Sequence, residues 1–158
     1  MKIKRVIPSG FCKGVVRAID IALKAQKTYS DKKIYILGMI VHNRFITDAL
    51  YQKGIISLDT TGKSKSELIA SIDDGVIIFS AHGSDAKLIK QAKDQGLIAI
   101  DATCIDVIKT QDLIKDYLKK GYEVIYIGKD KHPEAEAVLS ISEKIHLIKD
   151  LKDIKNLQ

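Results

Sequence analysis

The sequence predicts an α/β fold built from parallel-sheet βαβ units. Two observations carry that prediction: short β-branched runs alternate with stretches of helical apolar spacing, and glycines stand where helices should stop. Ile3–Ile7 reads as the first strand. Val15, Val16, Ile19, Ala22 and Leu23 then recur at helical spacing across Val15–Ala25. Ile34–Leu37 is a second strand, followed by a helix over Asn43–Gln52 and a brief Ile55–Leu58 run. Ser64–Ile72 is helical, Val76–Phe79 is a buried strand, and Asp85–Gln95 is helical again. Ile98–Ile100, a helix over Asp106–Lys120 and a strand over Val124–Ile127 follow. Helix Glu134–Leu139, strand Ile145–Ile148 and a weak terminal helix complete the series. Gly54, Gly75, Gly96 and Gly121 occupy the positions after helices where a C′ glycine is expected.

Composition narrows the class of function. The 158 residues carry 26 Lys+Arg against 20 Asp+Glu, a formal net charge of +6, with 46% hydrophobic and 29% charged residues. That is ordinary globular composition, and a chain of this length buries roughly 70% of its unfolded surface. Only Arg5, Arg17 and Arg44 are arginines, no tryptophan is present, and the lysines are dispersed, so nucleic-acid binding has no support. No run approaches the ~18 apolar residues of a membrane span. The charges mixed into Met1-Lys2-Ile3-Lys4-Arg5 do not form a signal peptide. A cytoplasmic location without membrane partners is expected. Two cysteines make no disulfide framework.

The chemically capable residues fall at one kind of place. Cys12 follows the first expected strand, His42 the second, His82 the Val76–Phe79 strand, Cys104 the Ile98–Ile100 strand and His132 the Val124–Ile127 strand. Each stands at a strand's carboxyl end, the edge at which open parallel sheets bind ligands. His146 lies inside a strand pattern and is set apart from them. Gly10-Phe11-Cys12-Lys13-Gly14 and Asp101-Ala102-Thr103-Cys104 put thiols at helix starts, where unsatisfied N–H groups favour a thiolate ligand or nucleophile. Val41-His42-Asn43 and Ser80-Ala81-His82-Gly83-Ser84 set imidazoles beside helix N-termini, which suits a phosphate. His132-Pro133-Glu134 adds a histidine and a carboxylate, a pair able to bind an anion and move a proton. Each group taken singly has a bland reading: a buried thiol, a helix cap. Two cysteines alone cannot hold a cubane cluster, whereas two Cys and two His match a zinc site in number.

Taken together, Gly10-Phe11-Cys12-Lys13-Gly14-Val15-Val16-Arg17-Ala18-Ile19, Ile40-Val41-His42-Asn43, Phe79-Ser80-Ala81-His82-Gly83, Asp101-Ala102-Thr103-Cys104 and His132-Pro133-Glu134 resemble the IspH/LytB family of 4-hydroxy-3-methylbut-2-enyl diphosphate reductases. The resemblance runs from about Lys2 to Leu147 and matches the N-terminal half of the family pattern. It implies reductive dehydroxylation of an allylic diphosphate to isopentenyl and dimethylallyl diphosphates in the non-mevalonate isoprenoid pathway. It also implies a 4Fe–4S cluster, with two electrons from ferredoxin or flavodoxin. Cys12 and Cys104 match two of three cluster ligands, and the third cysteine has no counterpart here. His42, His82 and His132 match diphosphate-binding histidines, and Glu134 matches the proton-delivering carboxylate.

The implied architecture has three units. One complete unit is expected over 13–104 and a partial second over 105–158, with 1–12 as an N-terminal strand segment. The chain then carries about half an active site, as a truncated product, a split subunit or an incomplete sequence, with the C-terminal half as its partner. A non-catalytic diphosphate-binding remnant and a Cys/His zinc protein are the alternatives. Ile105 stands where the family usually has proline, and Ser84 where a hydrophobic residue is usual. Lys131 and Ala137 occupy positions commonly held by glycine, so a left-handed backbone at either would carry strain.

Overall fold

Four of the β-branched runs pair in parallel, because helical crossovers return each strand in the same direction. The computed structural model describes residues 2–5, 7 and 10–156. Its elements are α1 (Lys13–Thr28), β1 (Ile34–Leu37), α2 (Arg44–Tyr51), β2 (Ile55–Leu58), α3 (Lys65–Ala70), β3 (Val76–Phe79) and α4 (Ala86–Asp94). There follow β4 (Ile98–Asp101), α5 (Ile105–Lys119), β5 (Val124–Ile127), α6 (Pro133–Leu139) and β6 (Ile145–Ile148). The expected terminal helix is a 3₁₀ turn, Asp153–Asn156.

The first sheet has the order β2-β1-β3-β4, and all its pairs are parallel. Ile34↔Val76 and Ile36↔Ile78 pair across β1 and β3 and share one face. That face packs on Ala18, Ala22 and Ala25 of α1 and on Leu50 of α2. Alanines along α1 let the helix approach the isoleucines closely. Leu37, Ile77 and Phe79 point the other way, onto Leu68 and Ile69 of α3 and Ala92 of α4. The result is three layers, helix on sheet on helix. Every residue of β3 is buried, which is why its sequence, Val-Ile-Ile-Phe, does not alternate.

The second sheet holds only β5 and β6, also parallel. Val124, Tyr126 and Ile145 pack against Ile114 and Leu118 of α5 and Val138 of α6. The opposite face is uncovered, with Ile125 55% and Ile127 80% exposed. The two bodies are joined by an ion pair from Lys65 of α3 to Glu136 of α6 at 2.6 Å.

One expected element is absent. Residues 2–5 belong to no strand, Ile7 lies in a bend, and Val6 falls outside the described residues. Ile3 and Ile7 are 83% and 82% exposed. A strand needs a neighbour to take its N–H and C=O groups, and among the described residues no strand pairs with residues 2–5 despite the segment's β-branched composition. Cys12 therefore follows an irregular segment and not a strand. No helix among the described residues is long and apolar enough to cross a membrane.

Candidate functional site

The chain leaves β1 through α2 towards β2 on one side and leaves β3 through α4 towards β4 on the other. Between the carboxyl ends of β1 and β3 the connections diverge, and a crevice opens there. His42 lies on the loop after β1 and His82 on the loop after β3, so the pair flanks this crevice. Their ring centroids are 4.7 Å apart. His132 reaches the same place from the second body, 6.2 Å from His42 and 5.7 Å from His82. The three histidines read from the sequence are thus in one cluster.

Backbone bonds hold the loops in register beyond the strands. Ala81 N–H donates to Ile40 C=O at 3.4 Å, and Cys104 N–H donates to Ala81 C=O at 2.9 Å. The ladder in effect continues one step past the sheet, which ties the His42, His82 and Cys104 loops together.

The imidazoles are not equivalent. His132 is the N-cap of α6, and its Nδ1 accepts from Glu134 N–H at 3.3 Å, which leaves Nε2 to carry the proton in the neutral ring. His82 Nε2 is buried, and no group among the described residues lies within hydrogen-bond reach of it. An unmatched buried polar atom costs about 1–3 kcal/mol. Burial pushes the His82 pKa below the ordinary value, and the charges of His42 and His132 push it further the same way. The cluster is thus short of negative charge and of a hydrogen-bond partner. A phosphate supplies both.

His42 and His82 line a cavity of about 390 Å³ with Gly38, Asp59, Thr60 and Thr61, closed below by Leu37 and Leu58. Ser80, Ser84 and Lys65 add polar groups to the lining, and Pro133 an apolar one. Asp59–Thr61 and Lys65 escaped the sequence reading. The brief Ile55–Leu58 run is the strand β2, and the carboxyl-edge rule applied to it points to the Asp-Thr-Thr turn that follows.

The two cysteines stand apart from that cavity. Cys104 lines a separate depression of about 340 Å³ with Lys13, Gly14, Arg17, Ile105, Asp106 and Lys109. Cys12 is the N-cap of α1 and Cys104 the N-cap of α5, each without a side-chain capping bond, and both thiols are free. A Cβ built on Gly14 would lie 2.5 Å from Cys104 Sγ and 3.8 Å from Cys12 Sγ. The two sulfurs are therefore no further apart than the sum of those lengths, and Gly14 is the gap between them. Arg17 Nη1 donates to Thr103 C=O at 2.7 Å, fixing α1 against the Cys104 loop. Asp101 accepts from Thr103 N–H at 2.8 Å and also from its hydroxyl. Two soft donors at helix N-termini fit a metal group that takes thiolates. Among the described residues no group of three or more His, Cys, Asp or Glu is placed to hold a metal ion. Cys104 and the His42–His82 pair line different depressions.

Glu134 is half-buried on the first turn of α6 and does not line the histidine cavity. Its charge, after burial, helps push the Tyr126 phenol above the ordinary value, which places the carboxylate near β5. Lys131 has φ 57 and is the one non-glycine with a left-handed backbone among the described residues. The strain expected at a residue commonly glycine is present there. Ala137 is an ordinary helical residue, buried against the Gly83 loop.

This is a doubly wound α/β domain with an anion-suited cluster at its switch point. Residues 3–158 match the family described as LytB protein. The chain is 49% identical over 160 residues to the 4-hydroxy-3-methylbut-2-enyl diphosphate reductase of Bacillus mycoides, covering 100% of this chain and 50% of that protein. It is 46% identical over 159 residues to the enzyme of the same name from Geobacillus sp., covering 99% and 50%. Its fold is similar to the solved E-1-hydroxy-2-methyl-but-2-enyl-4-diphosphate reductase from Plasmodium falciparum, with TM-score 0.83 and 31% identity over 96% of this chain and 46% of that one. The chain belongs to the LytB family. It spans about half the length of the curated relatives it matches.

Two outcomes test this geometry. The lowered His82 pKa means that folding favours neutral His82, so its stability contribution is whole above the ordinary value of 6.5 and is lost as pH falls below it towards the lowered folded value. Urea unfolding at pH 7.5 and pH 5 should show a larger acid loss for the wild type than for His82→Gln. Equal losses would remove His82 from the account. Gly14→Ala should destabilise the chain even though alanine favours helix by about 1 kcal/mol, because the new methyl meets the Cys104 sulfur. Adding Cys104→Ala should restore most of that loss, and simple additivity of the two changes would contradict the close approach.

Proposed function

We propose that this chain binds an allylic diphosphate through His42, His82 and His132 and supplies about half of an active site that reductively removes the substrate's hydroxyl. The observation that carries the reading is the three-imidazole cluster at the switch point, with its buried, unmatched Nε2. A diphosphate oxygen gives that atom a partner, and its charge reverses the preference for neutral imidazole. Ser80, Ser84, Thr60 and Thr61 offer further donors around the same cavity. Leu37 and Leu58 add apolar surface to the lining of that cavity.

Cys12 and Cys104 would contribute two thiolates to the 4Fe–4S cluster that the family resemblance implies, and Gly14 clears the space between them. When bound, such a cluster supplies electrons and an open iron site for the hydroxyl, with ferredoxin or flavodoxin as the donor. The remaining thiolate belongs to the half of the relatives that this chain does not span. In the overall change, the C–O bond breaks and the hydroxyl leaves as water with one proton. The carbon skeleton takes two electrons and another proton. Glu134, on the turn that His132 caps, would hold and pass a proton, as the family resemblance implies. His132 couples the two tasks, since it belongs both to the imidazole cluster and to the turn that carries Glu134.

A second reading rests on a specific asymmetry: the imidazole set is complete within this chain while the thiolate set has two members. A non-catalytic diphosphate-binding subunit would have that composition. The two readings separate in one experiment: combine the chain anaerobically with a polypeptide matching the second half of its relatives, then count iron and sulfide and assay reduction. The enzyme reading expects cluster uptake and turnover from the pair, and neither from the chain alone. Glu134→Gln in the active pair should slow turnover by about 10²–10⁴-fold and leave pyrophosphate binding intact. Pyrophosphate binding without cluster uptake in the pair would favour the binding subunit.

A further inference from the structure

We propose that Lys63 and Lys131 form a basic vestibule that steers a phosphate-bearing ligand into the histidine cavity, an inference that rests on the diphosphate-binding reading above. A second depression of about 550 Å³ lies beside that cavity and shares Thr60, Lys65 and Pro133 with it. Three lysines line it, Lys63, Lys65 and Lys131, together with the hydroxyls of Ser64 and Ser66.

The carboxylates nearby do not neutralise it. Glu136, on the same wall, is engaged by Lys65 at 2.6 Å. Glu67 accepts from Ser64 N–H at 2.8 Å in the capping box of α3 and feels Lys63 only as a neighbouring charge. Asp130 lies 3.9 Å from Lys149. Lys63 and Lys131 are both exposed, and among the described residues neither is held in an ion pair, so they supply the depression's uncommitted positive charge.

Lys131 adds a second, independent observation. A left-handed backbone at a non-glycine residue costs roughly 1–2 kcal/mol, and glycine at this position would avoid it. Backbone preference therefore argues against lysine here. The strained residue directly precedes the His132 cap, so its backbone is held at the junction between the lysine depression and the imidazole cluster. Charge of one sign along the wall of a cleft raises the local concentration of counter-charged ligand and speeds its entry. The lysines act on approach, and the histidines hold the ligand after arrival.

The test uses the full chain with inorganic pyrophosphate as probe. Association and dissociation rates are read from line shapes of the imidazole resonances, at low and high salt. The variant Lys63→Gln/Lys131→Gly should associate about tenfold more slowly at low salt, with dissociation unchanged and the difference fading as salt rises. The remote pair Lys24→Gln/Lys119→Gln, with equal charge removed from α1 and α5, should associate at nearly the wild-type rate. Equal slowing in both variants would reduce the effect to net charge and overturn the vestibule. A change confined to dissociation would make the lysines direct ligands and overturn it as well. Unchanged rates would overturn the vestibule and leave the histidine site standing, whereas no binding by the wild type would overturn the site and the vestibule together.

Discussion

Parallel pairing of β1 with β3 is the constraint on which the site depends. It puts the carboxyl ends of the two most buried strands side by side, and it sends their onward connections in opposite directions. The crevice between those connections needs no side chain to create it. Ile34, Ile36, Val76 and Ile78 hold the pairing from one face, and Leu37, Ile77 and Phe79 hold it from the other. Each fully buried side chain of this size stabilises the fold by roughly 1.5–3 kcal/mol. The rigid sheet thus carries the strained and unmatched groups at its edge: the His82 Nε2 atom without a partner and, on the neighbouring body, the left-handed Lys131.

The sheet and its loops were legible in the sequence because their signals are local. β-branched runs of four residues fall where β1, β3, β5 and β6 stand, and the helical stretches differ from the observed helices mainly at their ends. Placement of His42, His82 and Cys104 followed from a general rule about strand ends, with no knowledge of their distances. Ile3–Ile7 shows the limit of local reading. Its composition is that of a strand, but a strand exists only where another backbone accepts it, and that partner is not written in the segment itself. The separation of sulfurs from imidazoles was likewise invisible. Stoichiometry permits two Cys and two His around one zinc, whereas Cys104 lines one depression and His42 and His82 line another. Lys131 was legible only as a departure from glycine, and its φ shows what that departure costs.

The two depressions divide the labour that the proposed reaction requires. In the proposed reading the imidazoles at the switch point would hold the diphosphate, and the thiols at the N-termini of α1 and α5 would hold soft metal. The Arg17–Thr103 bond and the Cys104–Ala81 bond connect the two, so displacement of one loop is felt by the other. The first body is closed by three layers around its sheet. The second has a two-stranded sheet with one apolar face, through Ile125 and Ile127, open to solvent. Parallel sheets ordinarily have both faces covered. The chain spans about half the length of the relatives it matches.

The measurement that bears most directly on this account is the position of the phosphorus atoms in a crystal structure of the chain with inorganic pyrophosphate. The account predicts them among the rings of His42, His82 and His132, with an oxygen within hydrogen-bond distance of His82 Nε2. Phosphorus located only in the lysine depression or beside Cys104, with the imidazole cluster unchanged, would contradict it.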